Sequence, residues 1–306
     1  MKQKTKPESG KSLSRFALIS IGASLLTMGL KTVAFLLTGS IGLLSDAIES
    51  IVNLVGSSFA FVMLRVAERP ADKDHSYGHS KAEYFASALE GFLIFIAAGS
   101  IIYTAIQRLL NPGPLQQLGF GLILSTGASV INLIVGQLLI KKGKKHNSIS
   151  LEADGHHLMT DVWTSVAVVL GLLVVVLTGW TRLDPIVAIL VAVNILWTAY
   201  SLLKRSFEGF MDVAIPEEDL VKLMAVIGQY RAKGIEFHAI RTRQAARICF
   251  LSVHMLLKGD VSLHDAHHVA EDFESDLKKV LPHLVITTHL EPIDDTISVE
   301  DVNDHL

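Results

Sequence analysis

His157-Leu158-Met159-Thr160-Asp161 opens the fifth of six long apolar stretches in this chain. Four residues make one helical turn, so the spacing puts an imidazole and a carboxylate side by side on one helix face. Glu49 and Asn53 repeat that spacing inside the second stretch, with Asp46 three residues earlier on roughly the same face. A charged group inside a bilayer costs about 2.5–3.5 kcal/mol on insertion scales and normally faces a partner, an ion or a cavity. Two such pairs on separate helices supply the four nitrogen and oxygen donors of a tetrahedral divalent metal site, a pattern that points to movement of a metal ion across a membrane. Each pair also has a plainer reading. Glu49 and Asn53 can serve as hydrogen-bonding glue between helices, and His157 and Asp161 can sit as an interfacial pair at a helix end. The purely apolar run starts only at Val162, so depth in the membrane depends on where the helix begins; a start near Ile149, with Ser148 as its cap, buries the pair.

Half of the 306 residues are hydrophobic and 19% are charged, and mean hydropathy is +0.44. That balance excludes an ordinary soluble domain and fits a polytopic membrane protein. The spans read roughly as Phe16–Leu37, Ile41–Leu64, Phe85–Leu109, Leu118–Ile140, His157–Leu177 and Pro185–Leu203, which predicts an all-α six-helix transmembrane domain. Of the 27 Lys and Arg residues, 15 fall in the N-terminal stretch up to Arg15, the Arg65–Lys81 loop, the Lys141–Lys145 segment and Lys204-Arg205. By the positive-inside rule both termini are cytoplasmic. Cys249 is the sole cysteine, which leaves neither a disulfide nor a thiolate cluster available.

Charge divides the chain. Residues 1–207 carry a net +6 and residues 208–306 a net −9, and the second part holds 8 of the 13 histidines. The expected organisation is an N-terminal tail over 1–14, the membrane domain over 15–207, a cytoplasmic metal-binding and dimerisation domain over 208–292, and an acidic, disordered tail over 293–306. An acidic domain of this kind argues against nucleic acid as a partner. Past Pro216, acids at 217–219 sit where the positive end of a helix dipole favours them, and that helix runs to about Lys233. Ile235–Arg243 and Arg247–Leu257 read as strands joined by Gln244-Ala245-Ala246, Ser262–Val280 as a helix, and Leu284–Leu290 as a third strand. The order α-β-β-α-β predicts a small α+β domain with its helices on one face of a sheet.

Two further groups of residues can carry metal chemistry. Asp72, His75 and His79 fall within eight residues of the loop after the second span; polar loops often have such content without binding anything. His238, His254, His267, His268 and His289 lie on different elements of the acidic domain, where any one of them alone reads as a surface residue.

The strings "SDAIESIVN", "RPADKDHSYGHSKAEYF", "EADGHHLMTDVW", "RTRQ" and "THLEP", in this order with six spans, resemble the cation diffusion facilitator (cation efflux, zinc-transporter) family from about Arg15 to Pro292. The likeness is strongest to its bacterial homodimeric zinc and iron effluxers. The resemblance implies a metallochaperone-like cytoplasmic domain, a homodimer in the bacterial inner membrane, and export of a divalent metal in exchange for protons. It places Glu49, Asn53, His157 and Asp161 in the transport site, and Asp72, His75 and His79 in a weaker loop site. It places His238, His254, His267, His289 and Glu291 in a cytoplasmic site, and Lys81 and Asp212 in a charged interlock between the domains. Zinc is expected as substrate and as a structural or regulatory ion, with no prosthetic group. Helix two departs from the family pattern, which usually has Asp or His at the position of Glu49 and Asp at that of Asn53.

Zinc ranks first as cargo because imidazole suits it, with manganese, iron, cobalt and cadmium as alternatives. Loading requires a neutral His157 and ionised carboxylates, so metal and protons compete for the site. An intramembrane zinc peptidase is disfavoured because no His-Glu-x-x-His helix is present. A metal sensor that does not transport, and a sodium/proton antiporter on the same fold, remain as rivals; flux measurements separate them.

Overall fold

The computed structural model describes residues 10–38, 41–110, 119–178, 182–295 and 298, except for the side chains at 10–12, 38, 41–49, 52, 119–122, 125, 168–178 and 183–184. These residues fall into two compact units, Met1–Phe207 and Glu208–Leu306.

Among the described residues the first unit contains six long helices: α1 (Gly10–Thr38), α2 (Ile41–Ala67), α3 (Ala82–Leu110), α4 (Gly119–Lys145), α5 (Ile149–Thr178) and α6 (Leu183–Phe210), the last running just into the second unit. Their polarity is inverted relative to a soluble bundle. Leu36 (72%), Ile134 (63%) and Leu190 (66%) are exposed, whereas Ser20, Ser57, Glu90, Asn132 and Asp154 are buried. Lipid is the solvent in which that arrangement is favourable. Within the described residues, the segments Leu13–Leu37, Ala82–Leu110 and Pro185–Phe210 are long and apolar enough to cross a membrane. Helices α4 and α5 come together through small residues: a Cβ on Gly155 would lie 2.9 Å from the Gly136 carbonyl oxygen, and one on Gly136 would lie 3.1 Å from the Gly155 carbonyl oxygen. Such backbone contact is a usual way for helices to associate in lipid.

Two helix limits differ from the hydropathy reading. α5 starts at Ile149 rather than His157, so His157 lies two turns, about 12 Å, inside the helix. α4 continues past Ile140, where the fourth span was read to end, and finishes on Lys142, Lys144 and Lys145, whose charges suit its negative C-terminal end.

The second unit has the order α7 (Glu217–Arg231), β1 (Glu236–Ala245), β2 (Ile248–Leu257), α8 (Leu263–Val280) and β3 (Leu284–Pro292). α7 follows Pro216 and opens with Glu217, Glu218 and Asp219. α8 is capped by Ser262, whose hydroxyl accepts from the Asp265 amide at 3.1 Å. β2 pairs antiparallel with β1 and parallel with β3, and α8 forms the crossover the parallel pair requires. The hairpin turn is Ala246-Arg247, not Gln244–Ala246. Gln244 stays in the ladder opposite Cys249, and its amide donates to the Val213 carbonyl at 2.8 Å.

Cys249, Leu251, Val253 and Met255 alternate along β2 into a core shared with Leu223 and Ile227 of α7 and with Phe273 of α8. The Phe273 ring meets Tyr230 edge-on at 5.2 Å and Phe237 at 5.0 Å. Period-two geometry then turns Ser252 and His254 of β2 to the opposite, helix-free face.

Candidate functional site

α5 organises the polar interior of the membrane unit. Asp161 accepts hydrogen bonds at one oxygen from two amides on different helices: Asn53 of α2 and, at 2.9 Å, Asn132 of α4. One turn earlier, His157 Nδ1 bonds to Glu90 of α3. One turn earlier again, Asp154 accepts from Ser57 of α2 at 2.8 Å, and Ser57 meets Ser20 of α1 at 3.1 Å. All of these residues are buried.

These bonds leave acceptors over. Among the described residues, Asn53 Oδ1, Asn132 Oδ1, Asp161 Oδ1, Glu90 Oε1 and Asp154 Oδ2 are buried without a hydrogen-bond partner. A buried oxygen left unpaired costs about 1–3 kcal/mol, and more if charged. Several of them around one helix form a donor set for a cation, and the carboxylates and imidazole suit a divalent metal. The structure thus brings together Asn53 and Asp161, with His157 on the next turn of the same helix. Glu49 lies on α2, but its side chain, like that of Asp46, falls outside the described residues.

The loop between α2 and α3 is a compact turn around Asp72. Its Oδ1 accepts from the backbone amides of His75 at 2.7 Å and Asp74 at 3.0 Å. His79 Nε2 lies 3.3 Å from Asp72 Oδ2, and the two imidazoles are 4.4 Å apart. The amide bond from His75 is foremost in holding the Asp72 carboxyl below its ordinary pKa. Gly78, at φ 85°, closes the turn in a conformation that favours glycine. Ligand atoms of Asp72, His75 and His79 all lie within 4.8 Å of one another.

In the second unit the strand register does the assembling. His238 pairs with His254, and His254 with His289, so three imidazoles form a row across the helix-free face. Glu291, two residues beyond His289, shares that face. It lies 2.7 Å from His238 Nε2, 2.7 Å from His254 Nδ1 and 3.5 Å from His289 Nε2. The irregularity after His238, with Ala239 at φ 48°, is a bulge beside the site. His267 is not part of this gathering within one chain: it stands exposed on α8, next to His268. Burial pushes the Cys249 thiol up to about 11, so the sole cysteine supplies no thiolate at neutral pH. Of the two residues that the resemblance assigns to an interlock, Lys81 immediately precedes α3, and its carbonyl accepts from the Tyr84 amide at 3.0 Å. Asp212 is 3.3 Å from Arg243 within the second unit.

The sequence reading missed Glu90, Asn132 and Asp154. Each had a signal: an acid or amide inside a span is expensive and asks for a partner. Asp154 was hidden because the fifth span was started three residues after it.

The two units match the two domain models of one family. The cation efflux transmembrane domain matches residues 17–211, and the cytoplasmic domain of cation efflux proteins matches residues 215–293. The chain therefore belongs to the cation efflux, or cation diffusion facilitator, family and is a transporter rather than an enzyme. An uncharacterized transporter of Synechocystis sp., sll1263, is 45% identical over 280 residues, covering 92% of this chain and 90% of its own. The cation-efflux pump FieF of Shewanella oneidensis is 30% identical over 274 residues, covering 90% and 92%. FieF of Escherichia coli is 27% identical over 284 residues, covering 92% and 94%. A solved structure of CzrB in its Zn form is 31% identical, covers 27% of this chain and 93% of that one, and superposes with a TM-score of 0.25.

Proposed function

We propose that this protein exports a divalent transition metal, zinc first, from the cytoplasm in exchange for protons, through Glu49, Asn53, His157 and Asp161. The observation that carries this is the set of buried oxygens around Asp161, unpartnered among the described residues, one turn from an imidazole. Two amides hold one carboxylate oxygen in place and leave the other for a cargo ion. A metal ligand must shed its proton, so loading releases protons and protonation releases metal; imidazole is the side chain whose ordinary pKa lies nearest neutrality, which suits a histidine to that exchange. Both termini then lie in the cytoplasm, as the distribution of Lys and Arg supports. The chain works as a homodimer in the inner membrane, with His238, His254, His289 and Glu291 holding zinc as a structural or regulatory ion and His267 joining from α8. The Asp72, His75 and His79 turn is a secondary, weaker site.

The oxygen-rich surroundings of Asp161 favour a second reading, a sodium or other hard-cation exporter, because amide and carboxylate oxygens suit such ions. Uptake into inside-out vesicles under a proton gradient, with Zn, Mn, Fe, Co, Cd and Na in parallel, tests both. Zinc uptake that collapses with the gradient supports the first reading. Sodium uptake without zinc uptake replaces it with the second, and no uptake of any cation overturns both.

A further inference from the structure

Glu90 is an acid near the middle of the first half of α3, 1% exposed, in a helix otherwise apolar enough to span a membrane. Three features tie it to the cargo site. One carboxylate oxygen bonds His157 Nδ1. The other has no partner among the described residues. And α2 makes room for it: a Cβ on Gly56 would lie 2.5 Å from Glu90 Oε1 and 3.1 Å from Glu90 Cδ. Gly56 is three residues from Asn53, on the same face of α2, so the carboxylate rests against the side of the helix that carries the amide.

We propose that Glu90 is a positioning residue of the transport site: it takes the Nδ1–H of His157, fixes the imidazole in the tautomer whose Nε2 is free for metal, and supplies from α3 a negative charge that Asn53 does not supply from α2. This rests on reading Glu49, Asn53, His157 and Asp161 as the cargo site. Metal-bound histidines usually donate their second N–H to a carboxylate, which orients the ring and raises its basicity, and losing that partner typically costs about 10–100-fold in metal affinity. A carboxylate serving only as glue between helices needs no glycine opposite it and no free oxygen. Asp154 lies one turn before His157, but its bond goes to Ser57 rather than to the ring.

A double-mutant cycle in the full-length protein tests this, in a background with His75→Ala, His238→Ala and His254→Ala to silence the other metal sites. Zinc and manganese titrations of Glu90→Gln, His157→Ala and the double mutant are compared. Glu90→Gln is expected to weaken zinc by about 10–100-fold and manganese less, because zinc gains more from imidazole. In the His157→Ala background the same substitution should change zinc affinity by no more than about threefold, since coupled residues are not additive. An equal loss in both backgrounds, or no loss in either, overturns the proposal. If His157→Ala itself binds zinc as tightly as the parent, the cargo-site reading is what fails. Should Glu90→Gln not fold, Gly56→Ala decides. Its methyl displaces the carboxylate and should reproduce the loss, and Glu90→Asp, one methylene shorter, should restore binding in the Gly56→Ala protein. Parent-like affinity in Gly56→Ala overturns the proposal.

Discussion

The membrane unit and the C-terminal unit both gather metal-ligating side chains, but by different backbone geometry. In the C-terminal unit a sheet does it: strand register sets His238, His254 and His289 in a row, and a two-residue step adds Glu291 on the same face. The donors are mostly imidazole, and Glu291 is already within 2.7 Å of two rings. In the membrane unit the donors hang from α2, α3, α4 and α5, are mostly oxygen, and keep acceptors unpaired. A preformed, imidazole-rich cluster is suited to keeping zinc. A site assembled from several helices, whose parts move whenever the helices do, is suited to taking a metal and giving it up.

The largest expected effect breaks the membrane side alone. Asp161→Ala should abolish metal flux while leaving a monodisperse protein, because it removes the carboxylate that both Asn53 and Asn132 hold. Vesicle flux with size-exclusion chromatography checks it; parent-like flux from a well-folded mutant removes Asp161 from the transport site.

On the other side, zinc should raise the melting temperature of the C-terminal unit, and His238→Ala combined with His254→Ala should erase that rise while metal flux persists. Binding confined to the folded state is worth about 2.7 kcal/mol at a hundredfold excess over Kd. Melting curves with and without zinc measure it, and an undiminished zinc shift in the double mutant places the stabilising ion elsewhere.

Asn53→Asp probes how the oxygen set is balanced. The substitution trades the amide donor to Asp161 for a third carboxylate beside Glu49 and Asp161, so the empty site repels itself and a bound cation relieves that repulsion. Zinc affinity should rise by about tenfold, equivalent to about 1.4 kcal/mol, and turnover should slow because release becomes harder. Unchanged affinity with lowered stability would mark Asn53 as helix glue.

The two regions were also legible to different degrees. The i, i+4 pairs on α2 and α5 stood out because four residues is one turn and polar residues are rare in spans. What those pairs touch depends on helix rotation and on which helices are neighbours, so nothing in the sequence tied Glu90 and Asn132 to them. In the C-terminal unit the element order could be read from hydrophobic alternation and capping residues. The hairpin turn was misplaced because no Gly, Pro, Asn, Asp or Ser marks it, and the Val213 carbonyl holds Gln244 in the strand. The row of histidines follows from register, which is a matter of pairing between strands rather than of any one segment. Glu49 keeps its place on α2, but its side chain lies outside the described residues, so its role stands on spacing and resemblance.

The smallest effect asks whether the C-terminal fold is independent of its metal row. Tyr230 lies on the core side of the sheet, away from the histidines, and its hydroxyl donates to Asp276 at 2.9 Å. Burial, followed by the bond to Asp276 and the charges of Asp276 and Asp272, pushes the phenol up to about 12. The folded state therefore holds this proton more tightly than the unfolded chain, where a tyrosine titrates near 10. The stabilisation is complete below about pH 10 and is lost as pH rises towards about 12. Tyr230→Phe keeps the ring against Phe273 and removes only the hydroxyl, so it should cost about 0.5–1.5 kcal/mol at neutral pH. The gap to the parent should then close between about pH 10 and 12. Zinc affinity should stay the same at neutral pH, because the substitution touches nothing on the helix-free face. Denaturation at several pH values, alongside a zinc titration, checks both halves. A stability gap that persists at pH 12 would locate the contribution in packing rather than in the hydroxyl, and a weakened zinc site would show that the two faces of the sheet are coupled.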